Sequence, residues 1–398
     1  MTVYVVGAGL AGLSSALAAV DAGFKVELHE SAGQAGGRCR SWHEPSLDEV
    51  IDNGTHMVLG GNRALFTYLR RIDAVDQLVP APIAFPMIDL ASGQRWTATP
   101  WRLLPSLIAS LWRTRHDADI GIGALLGTDR NFLRFWEPVI VSVMNTPAEA
   151  ASATVFRRVL ALTLWRSLAA SRPFVVRRSL SDTFVTPALR TLEAAGARIA
   201  LTHPLRRLIL SGTRVQELVF DDRTIVLDDD DRVVLALPWA VAAGMVPGLP
   251  SLPSSPIVNA HFRLSQHPQT LPAAGFVGLL GSTAQWLFVR GNILSVTVSA
   301  AGALAERSVE EIRQILWRDV AAALDLRTEP LAARVIKEKR ATLFHTPEVE
   351  AKRPNAIAGD NLILAGDWTA TGLPCTLEGA IHSGTLAGKA LRGSRLIP

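Results

Sequence analysis

Thr2-Val3-Tyr4-Val5-Val6-Gly7-Ala8-Gly9-Leu10-Ala11-Gly12 opens the chain, Leu13 to Ala22 and Gly23 follow, and Val26 to His29 run into Glu30. Thr2 to Val6 is a short apolar, β-branched run of the kind that makes a buried strand. Leu13 to Ala22 is rich in Ala and Leu, as a helix would be, and Gly23 supplies its stop. Val26 to His29 reads as a second strand closed by an acid. Strand, G-x-G-x-x-G, helix, strand and acid in this order form the dinucleotide-binding fingerprint in its required context. Gly7 permits the tight turn, Gly9 lets a pyrophosphate approach the backbone, and Gly12 lets helix pack on strand. The helix N-terminus, around Ala8, Leu10 and Ala11, offers unpaired N–H groups and a positive dipole end to the phosphates. Glu30, with Ser31 beside it, is placed for the ribose hydroxyls, and its charge argues against a 2′-phosphate there.

Gly33-Gln34-Ala35-Gly36-Gly37-Arg38 follows directly, and a second glycine pair with an arginine beside the same crevice suggests more phosphate contacts. The pairing of G-x-G-x-x-G and its acid with a following G-G-R resembles the FAD-binding amine oxidase and phytoene desaturase superfamily. The resemblance implies an α/β fold and a Rossmann-like FAD-binding domain with an inserted α+β substrate domain; noncovalent FAD is the default expectation, with Cys375 the alternative as a covalent anchor. The FAD-binding domain would be discontinuous, spanning residues 1–79, 179–246 and 351–398, with the substrate domain and its helical insert at 80–178 and 247–350.

At 398 residues and 48% hydrophobic content the chain can bury a large core and form two domains. Its two cysteines, Cys39 and Cys375, lie far apart and suggest no disulfide framework, which fits a reducing compartment. The nine histidines show no metal-site spacing. Met1 runs straight into the first strand, so no signal peptide is expected, and no apolar run approaches the roughly 20 residues that span a bilayer. A cytoplasmic protein is the expectation. The pI is about 9.4, yet the net charge is only +4 and the arginines are spread out. That argues against nucleic acid; an anionic membrane surface, met peripherally at its inner face, is the better partner for such a charge. The oligomeric state is left open.

Further along, Val50 to Leu59 reads as an extended segment carrying a turn. The resemblance brings Gly54, Thr55 and His56 near the isoalloxazine, although a histidine beside an apolar run is as readily a hydrogen-bonded core residue. Pro100 to Arg113, with Trp101 and Trp112 and flanking arginines, suits an interfacial helix, the lip of an apolar tunnel, or an ordinary packed helix. Residues 124–172 read as helices, with a helix start at Asn145-Thr146-Pro147-Ala148-Glu149, and could wall a pocket for a long hydrocarbon or simply form a core. Short strands follow from Arg198 to Leu237, and Asp228 to Asp231 among them read as a solvated turn. Backbone near Leu205 would meet the adenine in the resembled superfamily. Asn361 to Ala365 is a buried strand ending in Gly366-Asp367, and the last helix opens near Thr376-Leu377-Glu378-Gly379-Ala380. The resemblance sets Asp367 near the ribityl and phosphate groups, with Thr376, Leu377 and Ala380 at the pyrimidine edge.

The runs Gly36 to Trp42, Asp52 to His56, Gln285 to Phe288, Glu338 to Thr342 and Ala365 to Ala380 lie in one order that resembles the hydroxysqualene dehydroxylase family. Thr55 and Cys375 depart from the pattern, which has Gln and Ala there. The likeness implies a long-chain isoprenoid lipid substrate and a reduction: hydride from FADH2 reaches an allylic carbon of hydroxysqualene as the hydroxyl leaves as water, giving squalene. Such chemistry needs a hydride donor, an apolar cavity and one acid for the leaving oxygen. His56 is the candidate acid, Asp52 its orienter and Glu378 the reserve. A carotenoid-type desaturase or isomerase, a flavin amine oxidase and a lipid-carrying flavoprotein are the other readings.

Overall fold

Five short strands, apolar and buried at the sheet's centre and more polar toward its Arg198–Ala200 edge, make a parallel sheet. Their order is Arg198–Ala200, Lys25–His29, Thr2–Val6, Arg232–Leu235 and Leu362–Leu364. The computed structural model that shows this describes residues 1–100, 119–123, 132–268 and 275–393. The sheet thus draws on the first thirty residues, the middle and the last forty. Helix Leu10–Asp21 leaves the first strand, and helix Leu377–Gly393 packs along it. Glycines allow that approach: a Cβ on Gly384 would stand 2.3 Å from the Ala11 carbonyl oxygen, and one on Gly388 2.3 Å from the Ala18 Cβ. Removing side-chain bulk at the seam lets the two ends of the chain share one layer.

A second sheet of seven strands runs Ala332–Leu343, Ser254–Arg263, Ile293–Val298, Trp286–Arg290, Phe276–Leu280, Phe85–Asp89 and Arg95–Ala98. It is antiparallel except where Phe276–Leu280 pairs with Phe85–Asp89. Side chains alternate between its faces. Val277 and Leu287 meet Ile312, Leu316 and Val320 of helix Val309–Leu324, which starts with a Ser308–Glu311 capping box. Phe276, Trp286 and Phe288 meet Phe85, Phe135, Trp136 and Phe156 on the other face, beneath helices Glu137–Met144 and Ala153–Leu162.

Two local expectations are corrected. Asn145 does not start a helix: it ends one, in the left-handed region at φ 45°. Its amide nitrogen donates to the Ser255 carbonyl and to Thr342 Oγ1, and its carbonyl oxygen accepts from the Ala300 amide. The next helix begins at Ala153, capped by Ser152. Nor is Asp231 solvated with Asp228 to Asp230. It is 4% exposed, and its carboxylate accepts the Thr2 amide at 2.7 Å, fastening the start of the first strand. Apart from Pro100, the stretch to Arg113 lies outside the described residues.

Candidate functional site

The glycine turn is built as a cradle. A Cβ on Gly12 would lie 1.8 Å from the Gly7 carbonyl oxygen, so helix and strand touch through bare backbone there. Gly7 holds φ +103° while its amide donates to the His29 carbonyl at 2.7 Å. Gly9 differs: nothing lies within 4 Å of its Cβ position. The space in front of Gly9 is the space a pyrophosphate needs, and Leu10 and Ala11 sit in the first turn, where amides have no intrahelical acceptor. Glu30 takes the Ala8 amide on one oxygen at 2.8 Å and the Ala32 amide on the other at 2.9 Å, with the Ser31 hydroxyl at 3.1 Å. The His203 amide donates to the Glu30 carbonyl, which draws Leu205, the first residue of strand Leu205–Ser211, toward the acid. These groups fit a dinucleotide.

Gly36 pairs with Gly9 in a parallel bridge, and Gly37 follows. Arg38 then reaches across to the C-terminal strand's exit. Its Nη2 donates to both oxygens of Asp367 at 2.7 Å, and Nη1 to the Ala341 carbonyl. Burial works against the Arg38 charge, but Asp367 outweighs it and raises the guanidinium's pKa. Asp367 is 5% accessible while 40% of the Arg38 side chain remains so. Gly366 is held by Ser383 of the last helix at 2.9 Å. Thr376 caps that helix by accepting the Gly379 amide at 3.1 Å, leaving Leu377 and Glu378 in the first turn. The Ala380 amide is already bonded to the Thr376 carbonyl, so Ala380 offers a ligand only its side chain.

Gly54, Thr55 and His56 form the turn after strand Glu49–Asp52. Asn259, from the seven-stranded sheet, clamps it: its amide donates to the Asn53 carbonyl at 3.1 Å and stands 2.9 Å from the Gly54 Cβ position. His56 Nδ1 bonds the Gly54 carbonyl at 2.6 Å, which makes Nδ1 the protonated nitrogen and leaves Nε2 for another partner. Burial pushes the imidazole below its ordinary pKa, partly offset by that carbonyl and by Asp52.

Asp52 does not orient His56. One of its oxygens accepts from Ser41 Oγ at 2.6 Å and the Leu180 amide at 2.9 Å, and the other from Arg290 at 2.9 Å. It joins three segments of chain instead. Glu378 is likewise committed. Its oxygens accept the Ala64 and Leu65 amides at 3.0 and 2.8 Å and cap helix Arg63–Arg71, so burial rather than chemistry raises its carboxyl. Glu378→Gln is expected to lower stability by about 1–2 kcal/mol, by loss of a helix cap, with turnover per bound cofactor unchanged. Melting and turnover together check this; a fully loaded variant with turnover lost would return Glu378 to the chemistry.

One buried group carried no sequence signal. His345 donates from Nδ1 to Glu350 at 2.5 Å and accepts the Cys375 amide on Nε2 at 2.9 Å. Glu350 accepts from Arg353 at 2.8 Å, and Arg353 donates to the carbonyls of Asp367, Thr369 and Leu373 at 2.6, 2.5 and 2.7 Å. Burial opposes the Glu350 charge, yet the His345 bond and the Arg353 charge hold its carboxyl low. Both cysteines are free and buried, and burial pushes each thiol up.

The model of the flavin containing amine oxidoreductase family matches residues 10–188 and 179–391. The chain is 37% identical to hydroxysqualene dehydroxylase of Sinorhizobium fredii, over 97% of each protein. It is 36% identical to that of Zymomonas mobilis, over 96% of this chain and 97% of that one. Cyclohexylamine oxidase from Brevibacterium oxydans superposes with a TM-score of 0.75 over 99% of both chains at 14% identity, which is a likeness of fold.

Proposed function

Because the chain belongs to the flavin containing amine oxidoreductases, and within them to the hydroxysqualene dehydroxylases, we propose that it converts hydroxysqualene to squalene and water with noncovalent FAD. The near-full-length likeness to hydroxysqualene dehydroxylases carries this reading. Gly7, Gly9, Gly12 and Glu30 hold the adenosine and pyrophosphate end. Arg38, Asp367 and the capped start of the last helix serve the flavin end, where the helix dipole favours negative charge. The raised thiols of Cys39 and Cys375 are poor nucleophiles, which supports a noncovalent cofactor. Free, buried cysteines fit the cytoplasm, and no described helix is long and apolar enough to cross a membrane.

When bound, reduced FAD supplies the hydride. The C–O bond of the substrate breaks with its electron pair on oxygen, a proton joins that oxygen to make water, and hydride closes the allylic carbon. His56 is the proton's carrier in this proposal, at Nε2, since Nδ1 is held by Gly54. Met57 and Leu59, directly after it, pack against the aromatic cluster of Phe85, Phe135 and Trp136, which gives an isoprenoid chain an apolar, water-excluding wall.

The test is anaerobic: dithionite-reduced protein is given hydroxysqualene while the flavin band is followed and the lipid is extracted. Flavin reoxidation with squalene formed is expected; a flavin that stays reduced over unchanged lipid overturns the reading. His56→Ala is expected to keep its FAD and lose about 10²–10⁴-fold in turnover. Because the acid form is the working one and burial lowers its pKa, wild-type turnover falls as pH rises through a midpoint below the ordinary histidine value. Undiminished turnover in the variant would remove His56 from this role.

A further inference from the structure

Between Ala150 and Ser181 the chain carries Arg157, Arg158, Arg166, Arg172, Arg177 and Arg178 and no acid, and from Gly379 to Pro398 it again has none. The fold brings the two windows together. Arg158 Nη1 lies 2.9 Å from the Gly372 Cβ position. On the last helix, His382 is lowered first by burial and then by the charges of Arg158 and Lys389. Gly61 backs onto Leu162, with its Cβ position 2.3 Å from that carbonyl oxygen, and Gly60 onto Ala169 at 2.2 Å. Arg63, two residues beyond Gly61, opens the next helix. Arg63, Arg158, Arg166 and Arg172 are exposed, and none of the four has a carboxylate partner among the described residues. Leu168 stands 59% exposed in the turn between Arg166 and Arg172. Nearby acids are turned away: Asp119 caps the far end of helix Ala153–Leu162, and Glu378 points inward.

We propose that this face, Arg63, Arg158, Arg166 and Arg172 around Leu168, seats the protein on an anionic lipid bilayer. Exposed guanidinium groups are drawn to the negative surface potential of such a leaflet, and a leucine held out among them enters the headgroup boundary. The charge is of one sign across two elements distant in sequence, whereas Arg71, Arg206 and Arg313 on other surfaces are paired with carboxylates. The proposal deepens the lipid-substrate reading, because a bilayer is where a long isoprenoid resides, but its test needs no substrate.

The full-length flavoprotein is sedimented with vesicles of phosphatidylcholine alone and of phosphatidylcholine mixed with phosphatidylglycerol, at low and high salt. Binding to the mixed vesicles is expected, weak on the neutral ones and falling with salt. One cation near such a surface is worth roughly fivefold in partitioning, so the double variant Arg166→Glu, Arg172→Glu is expected to lose about 25-fold or more. Leu168→Ser should lose about tenfold. Arg327→Glu, exposed just beyond helix Val309–Leu324, which packs on the opposite face of the seven-stranded sheet from helix Ala153–Leu162, is the control and should bind as wild type does. Flavin content and turnover on detergent-dispersed substrate stay as in wild type if the variants are folded. Wild type left in the supernatant with the anionic vesicles overturns the proposal, and leaves an acidic protein as the partner of this face. A double variant that binds as well as wild type overturns it equally.

Discussion

Arg353→Met is expected to destabilise the protein by about 3–5 kcal/mol and to empty it of flavin. The Arg353 side chain is fully buried, yet it is charged and fully employed. Its guanidinium spans Glu350 and the carbonyls of Asp367, Thr369 and Leu373, so one planar fork ties down the loop from Gly366 to Pro374. Methionine fills similar volume but leaves Glu350 buried without its cation and takes the guanidinium away from the carbonyls of Asp367, Thr369 and Leu373. Removing one partner of a buried ion pair typically costs this much, because the uncompensated charge stays behind. The loop also carries Asp367, the partner of Arg38, and leads into the Thr376 cap, so its loosening disorders the flavin end before the rest. Denaturant midpoints and flavin absorbance check this. Arg353→Lys keeps the charge but loses the fork, and should fall between the two. A methionine variant with an unchanged midpoint and full flavin would show that the loop holds itself.

Gly9→Val is expected to weaken FAD binding on the order of a thousandfold, about 4 kcal/mol, while the apoprotein melts near the wild-type temperature. Gly9 has φ −71°, which any residue tolerates, and nothing stands within 4 Å of its Cβ position. The protein itself therefore does not need glycine there; the ligand does, since a side chain would occupy the space of the pyrophosphate. Gly12→Val makes the contrast. Its side chain would drive into the Gly7 carbonyl oxygen, 1.8 Å from the Cβ position, and the fold rather than the cofactor should fail. Titration of FAD into each apoprotein, with calorimetric melting, separates the cases. An apoprotein of Gly9→Val that binds FAD normally would place the pyrophosphate elsewhere.

The parts of the site that were legible in the sequence are those whose cause is local. Gly7, Gly9 and Gly12 act within one turn, Glu30 follows one strand later, and Gly36 and Gly37 come next in the chain. Each is dictated by backbone geometry over a few residues, and such geometry leaves a spacing that can be read. Thr376 at the head of the last helix is of the same kind. The parallel sheet was legible as well, because strands buried on both faces must be apolar end to end, and Thr2 to Val6, Arg232 to Leu235 and Leu362 to Leu364 are nearly so.

Asp52, Glu378 and Arg353 show what was not. Asp52 and Glu378 stand beside glycine-rich motifs and by sequence could serve the chemistry, whereas Arg353 carried no signal at all. The role of each in the fold is set by distant partners. Asp52 is taken by Leu180 and Arg290, Glu378 by the helix that starts at Arg63, and Arg353 by the loop it encloses. A buried charge must find a donor set or stay neutral, and that set comes from segments brought together only by packing. Sequence therefore determined the glycine turn, the strands on either side of it and the family; the tertiary structure alone decided the order of the strands and which ionisable groups are held by distant partners. Among the described residues His56 is held only by its own turn, Nδ1 on the Gly54 carbonyl, because Asp52 is bonded to Ser41, Leu180 and Arg290 instead.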